Sequence, residues 1–193
     1  MNYTELKTEI SDYLHRANLS TKADVFIDLF EARASRKIRT VEMQLTEIVV
    51  PTSELQALPA GWQSFRNIQL NTSPIITLEY ATPQKIAGLA LTSGSARYYT
   101  ISGNQVEFSP SAAGANIEWT YYKDIAPLSD VNLSNWLIAK HPEYYLMGCL
   151  YQALIYTVDP RSSLMEQNIM RMESEINSNG YNAMSGPLRV SAV

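Results

Sequence analysis

Cysteine is nearly missing from this sequence. Cys149 is the only one in 193 residues, which excludes an intrachain disulfide and a thiolate metal cluster. Histidine is almost as scarce. His15 and His141 stand far apart, and neither falls in an H-x-x-x-H or C-x-x-C spacing, so no metal site and no cofactor are expected. Charge is thin as well, at 18% of residues against a usual ~25%. With a net charge of −4, a dedicated nucleic-acid binder is disfavoured. No apolar run approaches the ~20 residues that span a bilayer, so no membrane partner is expected. The opening MNYTELKTEI has no apolar stretch of the kind a secretory signal carries. A reducing cytoplasm is the expected place of synthesis.

Hydrophobic residues make up 46% of the chain and tyrosine contributes 12 positions. That is ample apolar material with little net charge, which excludes intrinsic disorder. Folding a chain of this length removes roughly 70% of its unfolded surface, enough for a self-sufficient core. Abundant tyrosine with few charges suits a surface covered by other proteins.

The hydrophobic period divides the chain into zones. Residues 1–40 read as helical. Asn2 and Glu5 form a capping box, followed by Leu6, Ile10, Tyr13, Leu14 and Ala17 at helical spacing. Thr21 is expected to cap a second helix. Its apolar face holds Ala23, Phe26, Ile27, Phe30, Ala34 and Ile38, and Val25, Leu29 and Ala32 widen it. A helix apolar over so much of its circumference packs between neighbours.

Residues 41–134 read as an inserted β-domain. Val41, Met43 and Leu45 alternate with polar residues in a half-buried strand that Pro51 ends. Arg66–Leu70 and Ile75–Tyr80 flank a hairpin-like connection at Asn71–Pro74. Pro83 opens a short helix, and Ser102-Gly103-Asn104 marks a tight turn between two strands. Ile117, Trp119 and Tyr121 share one face of a further strand. Short strands at this spacing imply a small antiparallel sandwich or barrel.

Residues 135–179 return to helical period. Asn135 caps a short turn, and Pro142 opens a long helix carrying Tyr145, Leu146, Cys149, Leu150, Ala153, Leu154 and Tyr156. A last helix spans about Ser162–Asn177, with Met165, Ile169, Met172 and Ile176 on one stripe. Gly180 is expected as its C′ stop, and residues 180–193 as an extended C-terminal tail. The fold class is therefore α+β, a helical bundle drawn from both chain ends with a β-domain inserted.

Catalytic patterns are missing. Thr92-Ser93-Gly94-Ser95 lacks the G-x-S-x-G frame. Gly88 and Gly94 are one residue too far apart for a phosphate loop. Asp24, Asp28 and Glu31 share a helix face that reads as solvated acid rather than a metal site. Cys149 lies in an apolar stripe, the setting of an inert thiol. One basic cluster stands out at the end of the second helix: Arg33, Arg36, Lys37 and Arg39. Complementing the helix dipole is its simpler explanation; contact with an acidic protein surface or with phosphates is the other. The pairs Tyr98-Tyr99, Tyr121-Tyr122 and Tyr144-Tyr145 divide between core packing and interface anchoring, with one tyrosine of each strand pair on either face.

Several stretches resemble one family. FIDLFEARASRKIRTVEMQ is similar to the second-helix signature of head-to-tail adaptor proteins of short-tailed bacteriophages, and LPAGWQSFRNIQLN to that family's Leu-Pro, aromatic, basic, strand order. Within IEWTYYKDIAPLSDVNLSNWLIAKHPEYYLMGCLYQA, the Tyr-Tyr, Pro-Leu-Ser-Asp, Asn-Trp-Leu and Pro-x-x-Tyr-x-x-Gly elements follow the family's sequence. SGPLRV resembles its tail. The resemblance implies a non-enzymatic structural virion protein of the neck, between head and tail. Its copies would form a homo-oligomeric ring of twelve beneath the portal protein, continue the DNA channel without sequence-specific binding, close the packaged head and receive the tail nozzle or fibre proteins. Arg33, Arg36, Lys37 and Arg39, with Tyr181, Met184, Leu188, Arg189 and Val190 of the tail, are then the expected protein-interface residues. Another neck or tail-terminator component is the first alternative. The second is a peptidoglycan-cleaving tail hydrolase, which needs a positioned carboxylate pair that no motif here singles out.

Overall fold

A computed structural model describes residues 1–14, 19, 21–89 and 94–185. In chain order its elements are α1 (Tyr3–Leu14), α2 (Ala23–Lys37), a 3-10 turn (Val41–Met43), β1 (Gln44–Val49), β2 (Leu55–Ala57), β3 (Trp62–Leu70), β4 (Ile76–Thr77), β5 (Glu79–Tyr80), α3 (Pro83–Leu89), β6 (Tyr98–Ser102), β7 (Gln105–Ser109), β8 (Ile117–Lys123), α4 (Trp136–Lys140), α5 (Pro142–Tyr156) and α6 (Ser162–Ser185). The fold is α+β. Two compact units emerge: one from Met1–Glu42 together with the chain from Ile125 onward, the other from Met43–Asp124.

In the helical unit, α5 packs against α1, α2, α4 and α6. The capping box forms as expected. Asn2 N–H donates to Glu5 Oε2 and Glu5 N–H to Asn2 Oδ1, both at 2.9 Å. The cap of α2 does not: Lys22 occupies the N-cap position, with no side-chain bond to the helix. The inner face of α2 is buried as its period requires, through Phe26, Ile27, Phe30, Ala34 and Ile38. Each large side chain so buried contributes roughly 1.5–3 kcal/mol. The face that was to widen it behaves differently. Val25, Leu29 and Ala32 are exposed, so among the described residues α2 is covered on one side only. Tyr13 and Tyr156, expected on apolar stripes, are also largely exposed.

Chain 125–135 carries almost no regular structure, so its backbone donors need side-chain partners. Ile125 N–H donates to Ser35 Oγ at 3.2 Å and Leu128 N–H to Glu31 Oε1 at 2.9 Å. Asn135 Nδ2 donates to Ala126 O at 2.8 Å and to the Tyr145 hydroxyl at 2.9 Å. Its Oδ1 meanwhile caps α4 by accepting from Ile138 N–H. Glu31 therefore does not sit on a solvated acidic face with Asp24 and Asp28. It is buried, and the Tyr145 hydroxyl donates to it.

The β unit holds two four-stranded sheets, ordered β1-β8-β3-β4 and β2-β7-β6-β5. They share one core, with Ile68, Leu70, Ile117, Trp119 and Tyr121 from the first and Val106 and Phe108 from the second. No closed barrel forms among the described residues. The sheets are not wholly antiparallel, because β5 pairs parallel with β6. A parallel neighbour requires a crossover, and the connection through α3 supplies it. Residues 75–80, expected as one strand, divide between the sheets at buried Leu78, whose N–H donates to Ile68 O at 2.9 Å. Val41–Met43 is a 3-10 turn rather than strand, and β1 begins only at Gln44. There β1 forms an edge, so Leu45 and Ile48 are exposed instead of half-buried.

The C-terminal expectation needs the largest correction. α6 runs on through Ser185, and Gly180 lies inside it. A Cβ at Gly180 would come within 2.8 Å of Thr40 Cγ2 and 3.1 Å of Thr40 Cα. The glycine thus serves close approach of two chain segments, not a helix stop. The expected extended tail does not hold for residues 181–185.

Candidate functional site

The four basic residues of α2 and its C-terminal end have separate tasks. Arg33 points across α5 toward α6. Its Nε donates to Glu173 Oε1 at 2.9 Å, a second nitrogen lies 3.8 Å from Glu166 Oε1, and the guanidinium rests 5.3 Å from the Tyr151 ring centre. Burial works against that charge, but the hydrogen bond and field of Glu173 outweigh it and hold the guanidinium above its ordinary value. Glu173 is buried and also accepts from the Tyr144 hydroxyl at 3.3 Å. Burial first, then Glu173, pushes that phenol up.

Arg39 turns back onto its own helix. Nη1 donates to Ser35 O and Ile38 O, each at 2.6 Å. Asn177 completes this end, accepting from Arg39 N–H at 2.7 Å and donating to Lys37 O at 2.9 Å. These bonds satisfy carbonyls that a helix end leaves open. The dipole reading therefore describes Arg39, whereas Arg33 is a tie between helices. Only Arg36 and Lys37 remain exposed, and neither enters an ion pair among the described residues.

Both of them border an open trough of about 470 Å³. Tyr151, Gln152 and Ile155 of α5 form its floor. Leu29 and the basic residues of α2 line one side, and Glu166, Met170 and Glu173 of α6 the other. Sequence reasoning missed the α6 contribution, although Glu166, Met170 and Glu173 recur at i, i+4 and i+7. A mixed stripe of this kind carries no apolar signal. Tyr181 is exposed on α6. Met184 falls in the helix's last turn, while Leu188, Arg189 and Val190 lie outside the described residues, as does His15.

Tyrosine pairs fall out unevenly. Tyr121 is buried and Tyr122 half-buried, as strand alternation requires. Tyr98 and Tyr99 are both half-buried, and Tyr144 and Tyr145 are both buried in the helical core. There Phe30 meets each ring edge-on, with centroids 4.9 Å apart in both pairs.

Cys149 is fully buried, and burial, then nearby Glu31, pushes its thiol up and away from the reactive thiolate. Among the described residues no three His, Cys, Asp or Glu side chains gather as metal ligands would. No helix among them is long and apolar enough to cross a membrane. The arrangement offers shape, apolar contact and two cations that enter no ion pair among the described residues, which suit protein recognition.

No curated protein matches the chain. Its residues 1–191 match the family model described as SU10 adaptor protein, so the chain belongs to that family of phage head-to-tail adaptors.

Proposed function

We propose that this chain forms the ring that joins portal to tail, extends the DNA channel and helps close the packaged head. The observation that carries the reading is the family match over residues 1–191. Its role is structural, with no catalytic step. Twelve copies accord with the resemblance to adaptors of short-tailed phages. DNA passes through without being held: dense basic walls would bind phosphates through counterion release, and a chain of net charge −4 repeated round a ring supplies repulsion instead. The interface is assigned to the exposed cations Arg36 and Lys37, to Tyr181, and to the C-terminal residues Met184, Leu188, Arg189 and Val190. Arg33 and Arg39, committed to internal bonds, support it from beneath.

Light scattering of the purified chain, alone and with purified portal protein, tests the reading. The chain alone should be a monomer or weak oligomer and should gain ring stoichiometry on the portal. A stable ring without portal, or no association with it, overturns the proposal. Cryo-electron microscopy of the virion neck gives the copy number directly.

A further inference from the structure

We infer that the trough over α5 is the seat of an amphipathic, acidic helix belonging to a partner protein. This rests on the adaptor reading and goes beyond it by naming the surface and the chemistry that fills it.

The first observation is a mismatch between pattern and packing. Leu29 is 50% exposed, yet it belongs to a helix apolar enough to be covered on two sides. Across the trough Ile155 is 48% and Met170 51% exposed. Three large apolar side chains from three helices thus border one open volume of about 470 Å³. Isolated exposed apolar residues are ordinary, but a shared apolar lining marks an interaction site.

Geometry selects the occupant's form. α2 and α6 both pack on α5, leaving a furrow between two ridges. A further helix, inserting apolar residues at i, i+3 or i+4 and i+7, is the recurrent way to fill such a furrow.

Charge selects its composition. Arg33 is already balanced by Glu166 and Glu173, whereas Arg36 and Lys37 have no ion-pair partner among the described residues. An occupant with carboxylates facing that end satisfies both cations. Nucleic acid fits poorly, since Glu166 and Glu173 lie among the lining residues and would face phosphates across apolar side chains. A two-fold pairing of this chain with itself also fits poorly. It would bring four cations into one interface, while the carboxylates that an isologous contact repeats, Glu166 and Glu173, are already engaged with Arg33 in each copy.

The test measures binding of the full chain to two separate probes, purified portal protein and the purified tail protein that neighbours the adaptor. Leu29→Glu, Met170→Glu and the double change Arg36→Glu/Lys37→Glu are compared with Val131→Glu, at a position 96% exposed away from the trough lining. Circular dichroism checks that each variant keeps its helix content. For one of the two probes, all three trough variants should weaken binding at least tenfold while Val131→Glu does not. The double charge change should also remove most of the salt dependence. Wild-type binding that the trough variants leave intact overturns the trough assignment and spares the adaptor reading. Self-association abolished by Leu29→Glu makes a second copy the occupant and overturns the partner assignment. A wild-type chain that binds neither probe overturns both readings.

Discussion

Gly148 of α5 lies directly beneath the ring of Phe30 on α2. A Cβ at that position would come within 2.8 Å of Phe30 Cγ and closer still to the ring's edge atoms. The missing side chain lets a large ring sit between Tyr144 and Tyr145 at edge-on distance. This contact sets how near the two central helices approach.

Gly148→Ala should therefore destabilise the protein by about 1–3 kcal/mol through overpacking, despite alanine's better helix propensity. Chemical denaturation measures it. Coupling identifies the cause: in the background of Phe30→Leu the same change should cost distinctly less. Equal cost in both backgrounds would show that Phe30 is not the obstacle.

Gly180 and Gly88 form a second contrast. Both are helical, but a Cβ at Gly180 meets Thr40, including its backbone, whereas nothing lies within 4 Å at Gly88. Gly88→Ala should stabilise by about 0.5–1 kcal/mol, the ordinary helix gain. Gly180→Ala should give no gain or a loss. A melting temperature raised equally by both changes would mean that α6 does not press on Thr40.

Neutralising the basic cluster one residue at a time should split it. Arg33→Gln leaves Glu173 buried without its cation, and a loss of about 2–4 kcal/mol is expected. Arg36→Gln and Lys37→Gln remove exposed charges that enter no ion pair among the described residues, and should stay within about 0.5 kcal/mol of wild type. Thermal unfolding separates the two classes.

Glu31 provides a pH test. Burial raises its carboxyl group above the usual range, against hydrogen bonds from Tyr145 and Leu128 that favour ionisation. The folded chain consequently holds this proton more tightly than the unfolded chain does. Between the ordinary carboxylate value and the raised folded value, stability from this group falls as pH rises. Glu31→Gln removes that titration while its amide oxygen can still accept the same bonds. The stability of wild type relative to Glu31→Gln should grow as pH is lowered through that window. A difference that stays constant with pH would place Glu31 in a more polar setting.

How much of this was legible in the sequence depended on whether the signal was local. Asn2 with Glu5, Asn135, Pro83 and Pro142 act over one turn, and all open helices as read. The inner stripe of α2 was equally plain, since helical period reports one buried face well. Exposure of Val25 and Leu29 was not legible, because composition cannot say whether a second neighbour exists in the same chain. Gly180 misled for a related reason. A glycine near a helix end has two physical uses, and only the distant Thr40 decides between them. Of the candidate residues, the basic cluster was visible as charge, but its division was not. Glu173, far along the chain, occupies Arg33, while the carbonyls of Ser35 and Ile38 occupy the Arg39 guanidinium.

The helical unit's origin in both chain ends bears on how the protein is made. On the ribosome, α1 and α2 emerge long before α5, whose side chains supply much of their cover. Residues 43–124 complete their own apolar interior first, since its members all lie within that stretch. Until α5 arrives, Phe26, Ile27 and Phe30 have only α1 beside them and stand largely open to chaperones. A released chain that ends at Asp124 should accordingly yield protease-resistant strands and a protease-sensitive N-terminus. The same order leaves the N-terminal helices open after the strands that follow them have closed their own core.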